Sequence, residues 1–157
     1  MTDFITTFEA GELEIALVTY NRCDFVKEWL KQCYEQIKIR NIHLSIYDSS
    51  TYDDTETYIK EFQAEKNDVG LEYHHVDSNI NIGYKPMLPI LNSKSKYVWV
   101  AGDSRYHDFE CLDRKVFPYL KKDIDYVIFH ILNNEENDGK IYTNKNELLK
   151  ECFVSMT

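Results

Sequence analysis

"LEIALVTYNRCDFVKEWLKQC", residues 13–33, contains the transition that decides the fold. Its first seven residues are mostly apolar and rich in β-branched types, and the run is too short for a buried helix. A continuous apolar run of this length reads as a strand covered on both faces. The polar link Thr-Tyr-Asn-Arg follows. Val26, Trp29, Leu30, Cys33 and Ile37 then recur every three or four residues, the spacing of a helix with one buried stripe. Asp24 stands where it would cap that helix. Strand, polar link and amphipathic helix together open a βα unit.

The alternation continues downstream. Residues 42–47, IHLSIY, predict a second strand, and DSSTYDD a polar turn. Thr55, Tyr58, Ile59 and Phe62 give a second helix face, and residues 71–76 a third strand. NINIGYKP reads as a loop, in which Gly83 is free to take backbone angles that other residues avoid. Pro86 suits the first turn of the next helix, and Pro89 falls early enough in it to be tolerated. Residues 96–101 predict a fourth strand. Asp108 caps a helix carrying Phe109, Leu112 and Val116, which Pro118 limits. Residues 126–132 read as a fifth strand, Asp138-Gly139 before KIYT as a hairpin, and NELLKECFVSMT as the start of a helix. Repeated alternation predicts an α/β fold: a mostly parallel sheet with helices on both faces. Ligands of such sheets bind at the carboxyl ends of the strands.

Composition narrows the function classes. The chain has 157 residues, the size of one domain spanning 1–157, with no internal repeat and no linker. Lys plus Arg is 18 against 27 for Asp plus Glu, a net charge of −9. That balance argues against a general nucleic-acid binder, which needs basic surface against phosphate. The 4 cysteines have no C-x-x-C pair or zinc spacing and read as reduced thiols of a cytoplasmic protein. The opening residues lack a basic start and an apolar run, and no stretch is apolar enough to span a membrane. Neither G-x-x-x-x-G-K-[ST] nor G-x-G-x-x-G occurs.

Polar residues appear where each apolar run stops. Thr19, Tyr20, Asn21 and Arg22 follow the first strand, and Asp48, Ser49, Ser50 and Thr51 the second. Asp77, Asn79 and Asn81 follow the third; Gly102, Asp103, Ser104 and Arg105 follow the fourth. Tyr20 can stack on a base, and Asp48 can accept from a ring N–H such as uracil offers. Arg22 and Lys85 can meet phosphate charge. Asp103 can hold a ribose hydroxyl or a divalent ion. The set suits a pyrimidine nucleoside diphosphate.

"ALVTYNRCDFVKEWLKQC", "IYDSSTYDDT", "NINIGYK" and "KYVWVAGDS" resemble, in order and spacing, the GT-A nucleotide-sugar glycosyltransferases, and within them the inverting family two. The resemblance runs from about Leu13 to Asp108. It implies a Rossmann-like GT-A sheet and transfer of a sugar from a nucleotide-sugar donor to a glycan, lipid-linked or protein acceptor, with inversion. A UDP-sugar is the expected donor. Carried over residue by residue, Tyr20 and Asp48 would hold the base and Thr19 and Arg22 would line the same pocket. Lys85 would lie near the donor phosphates, and Asp53 would shape its turn or cap the helix after it.

Two departures stand out. Asp103-Ser104-Arg105 fills the place of D-x-D, so arginine replaces the family's usual metal-ligating acid, and arginine has no lone pair to give Mg²⁺ or Mn²⁺. Three readings stay open: Arg105 neutralises the diphosphate, Asp103 holds a metal with help from Asp108 or His107, or the domain only binds or scaffolds. The second departure is length. The family's general base lies on an acceptor half downstream of the donor half, and the chain is expected to stop before that half, so no base is assigned. The expected location is the cytoplasm, with a peripheral position at a membrane left open.

Overall fold

The run that opens the sequence becomes β1 (Leu13–Thr19), an inner strand of a sheet ordered β3-β2-β1-β4. Its neighbours are β2 (His43–Asp48) and β4 (Tyr97–Gly102), with β3 (Leu71–His75) beside β2. All three pairings are parallel. The computed structural model describes residues 5–66, 70–104, 107–122 and 124–125, all within the unit Met1–Tyr126. The expected fifth strand at 126–132, the Asp138-Gly139 hairpin, the final helical segment and Arg105 lie outside the described residues.

Position in the sheet explains each strand's composition. β1 has a neighbour on both sides, and Ile15, Ala16 and Leu17 are fully buried. β3 has a neighbour only on the β2 side among the described residues, and it carries Glu72, His74 and His75. The register separates two faces, because side chains alternate along a strand. One face carries Ile15, Leu17, Thr19, Ile46, Asp48 and Tyr73. The other carries Ala16, Val18, Tyr47 and Val98, and gathers Val76, Ile80 and Leu88 into an apolar cluster.

α1 (Cys23–Ile39) buries the predicted stripe, including Val26, Trp29, Leu30, Cys33 and Ile37. Its start corrects the expected cap. Asp24 lies inside the first turn, 94% exposed, and pairs with Lys27. The Cys23 N–H donates instead to Asp53 Oδ2 at 2.8 Å, from the loop before α2 (Thr55–Lys66). A helix start leaves backbone donors unpaired, and a carboxylate distant in sequence serves as well as a local one.

α3 (Met87–Asn92) begins after Pro86 and holds Pro89 in its first turn, where no intrahelical N–H is needed. Leu88 brings this short helix onto the Ala16 face. α4 (Phe109–Lys115) is capped by Asp108, whose Oδ1 accepts from the Cys111 N–H at 3.0 Å, as predicted. Val116 does not continue its stripe: it forms the joint to α5 (Phe117–Leu120), which contains Pro118. Phe117 is buried there edge-on to Phe8. The Arg40–Asp113 ion pair, with both side chains buried, joins the end of α1 to α4, and Asp113 also accepts from the Thr6 N–H at 2.9 Å.

Candidate functional site

Parallel strands deliver their carboxyl ends to one edge. The segments after β1, β2 and β4 meet there through contacts that are distant in sequence. Asn21 is the bracket between the first two. It sits at φ 51°, which asparagine tolerates better than most residues. Its N–H donates to Ser50 Oγ at 2.8 Å, and its Oδ1 accepts from the Thr51 N–H at 2.8 Å. The Ser49 N–H donates to the Thr19 carbonyl at 3.2 Å. This bracket holds Tyr20, 49% exposed, at the edge.

Asp103 is buried beneath that edge, at 4% exposure. Thr19 Oγ1 donates to its Oδ2 at 2.7 Å. Arg22 Nη1 pairs with its Oδ1 at 3.1 Å, and the Arg22 side chain is 40% exposed. The guanidinium also lies over the Phe25 ring, 3.9 Å from its centroid. Arg22 is thus held at one edge and one face, and among the described residues its other N–H groups have no further partner.

Lys85 forms the second cationic point. Its Nζ donates to Ser49 Oγ at 2.9 Å and to the Ser78 carbonyl at 3.4 Å. It lies 4.8 Å from the Tyr20 ring centroid. A flat, half-exposed aromatic ring therefore has an ammonium beside it, and a guanidinium follows two residues later in the chain. A base can stack on such a ring while the two cations receive an anion.

Asp48 reaches the same edge with a different present task. It is 1% exposed. Its Oδ1 accepts from the Ser50 N–H at 2.8 Å and from the Ser50 hydroxyl, and its Oδ2 accepts from Tyr73 Oη at 3.0 Å. Burial first, then the Asp48 charge and this hydrogen bond, push the Tyr73 phenol well above its ordinary pKa. In this conformation Asp48 braces the β2–α2 loop from below. Its Oδ2 keeps acceptor capacity beside the Tyr73 hydroxyl, but at 1% exposure the carboxylate is covered from a ligand.

Asp53, kept out of the binding set on sequence grounds, is structural. Besides the Cys23 N–H, it accepts from the Thr55 N–H at 3.2 Å and from Thr55 Oγ1 at 2.7 Å. His107 and Asp108 have other partners in this structure. The His107 ring lies against Trp99 at 4.4 Å and edge-on to Trp29 at 5.9 Å, and its Nε2 is enclosed. Asp108 is occupied as the α4 cap. Among the described residues no group of three His, Cys, Asp or Glu is placed to hold a metal ion.

The structure therefore brings Thr19, Tyr20, Arg22, Lys85 and Asp103 to one place, with Asp48 beneath. Sequence reasoning placed Asn21 and Ser49 at the edge without giving them a task, and it missed Phe25 and Tyr73. An asparagine in a tight polar link was the available signal for Asn21. Tyr73 gave none, because strand register cannot be read from a string. No helix among the described residues is long and apolar enough to cross a membrane.

A family model described as Glycosyl transferase family 2 matches residues 14–155. No curated protein matches the sequence. Among solved structures, the mannosyltransferase PcManGT from Pyrobaculum calidifontis, in complex with GDP-Man and Mn²⁺, is similar with a TM-score of 0.58 and 17% identity. The match covers 67% of this chain and 31% of that one, so the chain spans about a third of that enzyme's length.

Proposed function

The chain belongs to glycosyl transferase family 2 with a GT-A-like α/β fold, and from that membership we propose that its carboxyl edge binds the nucleotide-sugar donor of a glycosyl transfer. Tyr20 stacks on the base, Thr19 and Asp103 set the floor, and Arg22 and Lys85 receive the diphosphate. Asp48 serves the base through the loop it braces. The reaction is displacement at the anomeric carbon with inversion. The cationic points stabilise the leaving diphosphate, where negative charge develops. The donor is a UDP-sugar, and the acceptor a glycan, lipid-linked or protein hydroxyl.

One observation carries this reading: half-exposed Tyr20 has the Lys85 ammonium 4.8 Å from its ring, and both Lys85 and the nearby Arg22 are fixed by partners from other loops, Ser49 and Asp103. Titration calorimetry with UDP and GDP tests it. Binding of UDP in preference to GDP is the expected result, and Tyr20→Ala is expected to weaken it by about 1–3 kcal/mol, the worth of one base–aromatic stack. Preference for GDP would replace the base assignment, and binding of neither would reject the donor site.

A further inference from the structure

We propose that Arg22 is the standing counter-charge of this site, occupying the place on Asp103 that a divalent cation would need, so that nucleoside diphosphate binds without metal. The inference rests on the donor-site reading above and adds to it how the diphosphate is neutralised.

The argument begins with the carboxylate. Asp103 is buried, and both of its oxygens already have partners: Thr19 Oγ1 at 2.7 Å on Oδ2 and Arg22 Nη1 at 3.1 Å on Oδ1. Mg²⁺ and Mn²⁺ at nucleotide sites are held by one or two carboxylates together with phosphate oxygens. A metal on Oδ1 would meet the guanidinium there, one on Oδ2 would displace the Thr19 hydroxyl or share that oxygen with it, and in either place two cations would crowd one carboxylate. The Arg22 side chain is also held from a second direction by Phe25, 3.9 Å below its guanidinium carbon. To admit a metal at Oδ1 the guanidinium would have to give up its contact with Asp103.

The pair also accounts for the exposure of its two members. Asp103 is nearly closed off, whereas Arg22 is 40% exposed. A pair built only to hold the fold together gains nothing from an open guanidinium. A carboxylate used to aim an arginine outward gives this arrangement, and the fork of N–H donors left over matches diphosphate oxygens. Lys85, anchored on Ser49, supplies a second positive point beside the Tyr20 ring.

Calorimetry on the full chain tests the proposal, with UDP and GDP as probes, each in EDTA and in Mn²⁺, and with Mn²⁺ alone. Thermal melting verifies that each variant is folded. The wild-type Kd for the preferred nucleotide is expected to agree between EDTA and Mn²⁺ to within about threefold, and Mn²⁺ alone should not bind. Arg22→Gln is expected to weaken binding in EDTA by about tenfold or more, as loss of a charged partner does. Because it frees Asp103, Mn²⁺ should restore part of that loss. Arg22→Lys should fall between, keeping charge without the fork. Mn²⁺ tightening wild-type binding more than about tenfold, or Arg22→Gln binding like wild type in EDTA, would overturn the proposal. If wild type binds neither nucleotide in either buffer, the donor-site reading itself fails and takes this inference with it.

Discussion

Single residues at the carboxyl edge divide into those left exposed, such as Tyr20 and Arg22, and buried ones that hold the edge together, such as Asp48 and Asp103. Thr19, Tyr20, Arg22, Asp48 and Asp103 were legible as neighbours, because polar types followed each apolar run, whereas Lys85 was drawn in from the loop around Gly83. Their division of labour was not legible. Asp48 and Tyr73 illustrate why. Asp48 looked like an open acceptor, but it is 1% exposed and takes the Tyr73 hydroxyl at 3.0 Å. Only the register, which pairs Asp48 with His75 and places Tyr73 on the same face, reveals the contact. Removing that donor leaves a buried carboxylate short of a partner. Tyr73→Phe is therefore expected to destabilise the fold by about 1–3 kcal/mol, read as a lower urea midpoint. A midpoint equal to wild type would show that water or Ser50 compensates fully.

Helix ends and loops were the least legible elements. The stripe of α1 was plain from its spacing, yet its cap lay thirty positions away at Asp53. Asp53 joins the start of α1 to the start of α2, so one carboxylate serves two helices. Burial alone would raise its pKa, but the hydrogen bonds from Thr55 and the Cys23 N–H prevail and hold it below the usual carboxylate range. The unfolded chain then binds its proton more readily than the folded one. Stability from this group is complete above the ordinary carboxylate pKa and is lost as pH falls through the lower folded value. Asp53→Ala is expected to lose about 1–2 kcal/mol at neutral pH, as cap removals do, and to flatten the acid limb of a stability-against-pH curve. An unchanged acid limb would count against the double cap.

His107 works in the opposite setting, on the loop that follows Asp103. Its ring is wedged among Trp99, Trp29 and Phe109, and its backbone N–H lies against the Cys33 sulfur. Burial lowers its pKa, so the folded state keeps the ring neutral while the unfolded chain accepts a proton near the ordinary value of about 6.5. Stability is thus full above that ordinary pKa and declines as pH falls towards the folded value. His107→Phe should remove this decline in a set of denaturant midpoints taken from pH 7.5 to 5. Persistence of the same slope in the variant would assign the decline to another group.

At the scale of the whole molecule, the positions of the first four strands were the most legible feature, because each strand's burial leaves its mark on composition, whereas their order was not read from the string. The continuous apolar run of β1 matches its inner place, and the polar β3 its outer place in the order β3-β2-β1-β4. Sequence could not reveal what closes the α1 side around α4, since a charged pair resembles surface in a string. Arg40 and Asp113 are 73 positions apart, both buried, and joined by both guanidinium Nε and Nη2. Arg40 Nη1 also donates to the Gln36 carbonyl at 2.9 Å, and Asp113 fixes Thr6. Desolvation makes such a pair a poor source of net stability, but removing one partner strands a buried charge. Arg40→Met or Asp113→Leu alone is expected to destabilise the fold by about 3–5 kcal/mol, whereas the double variant should recover most of that. The pair would then set which surfaces meet rather than how tightly they hold. Additive losses in the double variant, measured by urea unfolding, would mean instead that the two side chains stabilise the fold through separate neighbours, Gln36 for one and Thr6 for the other.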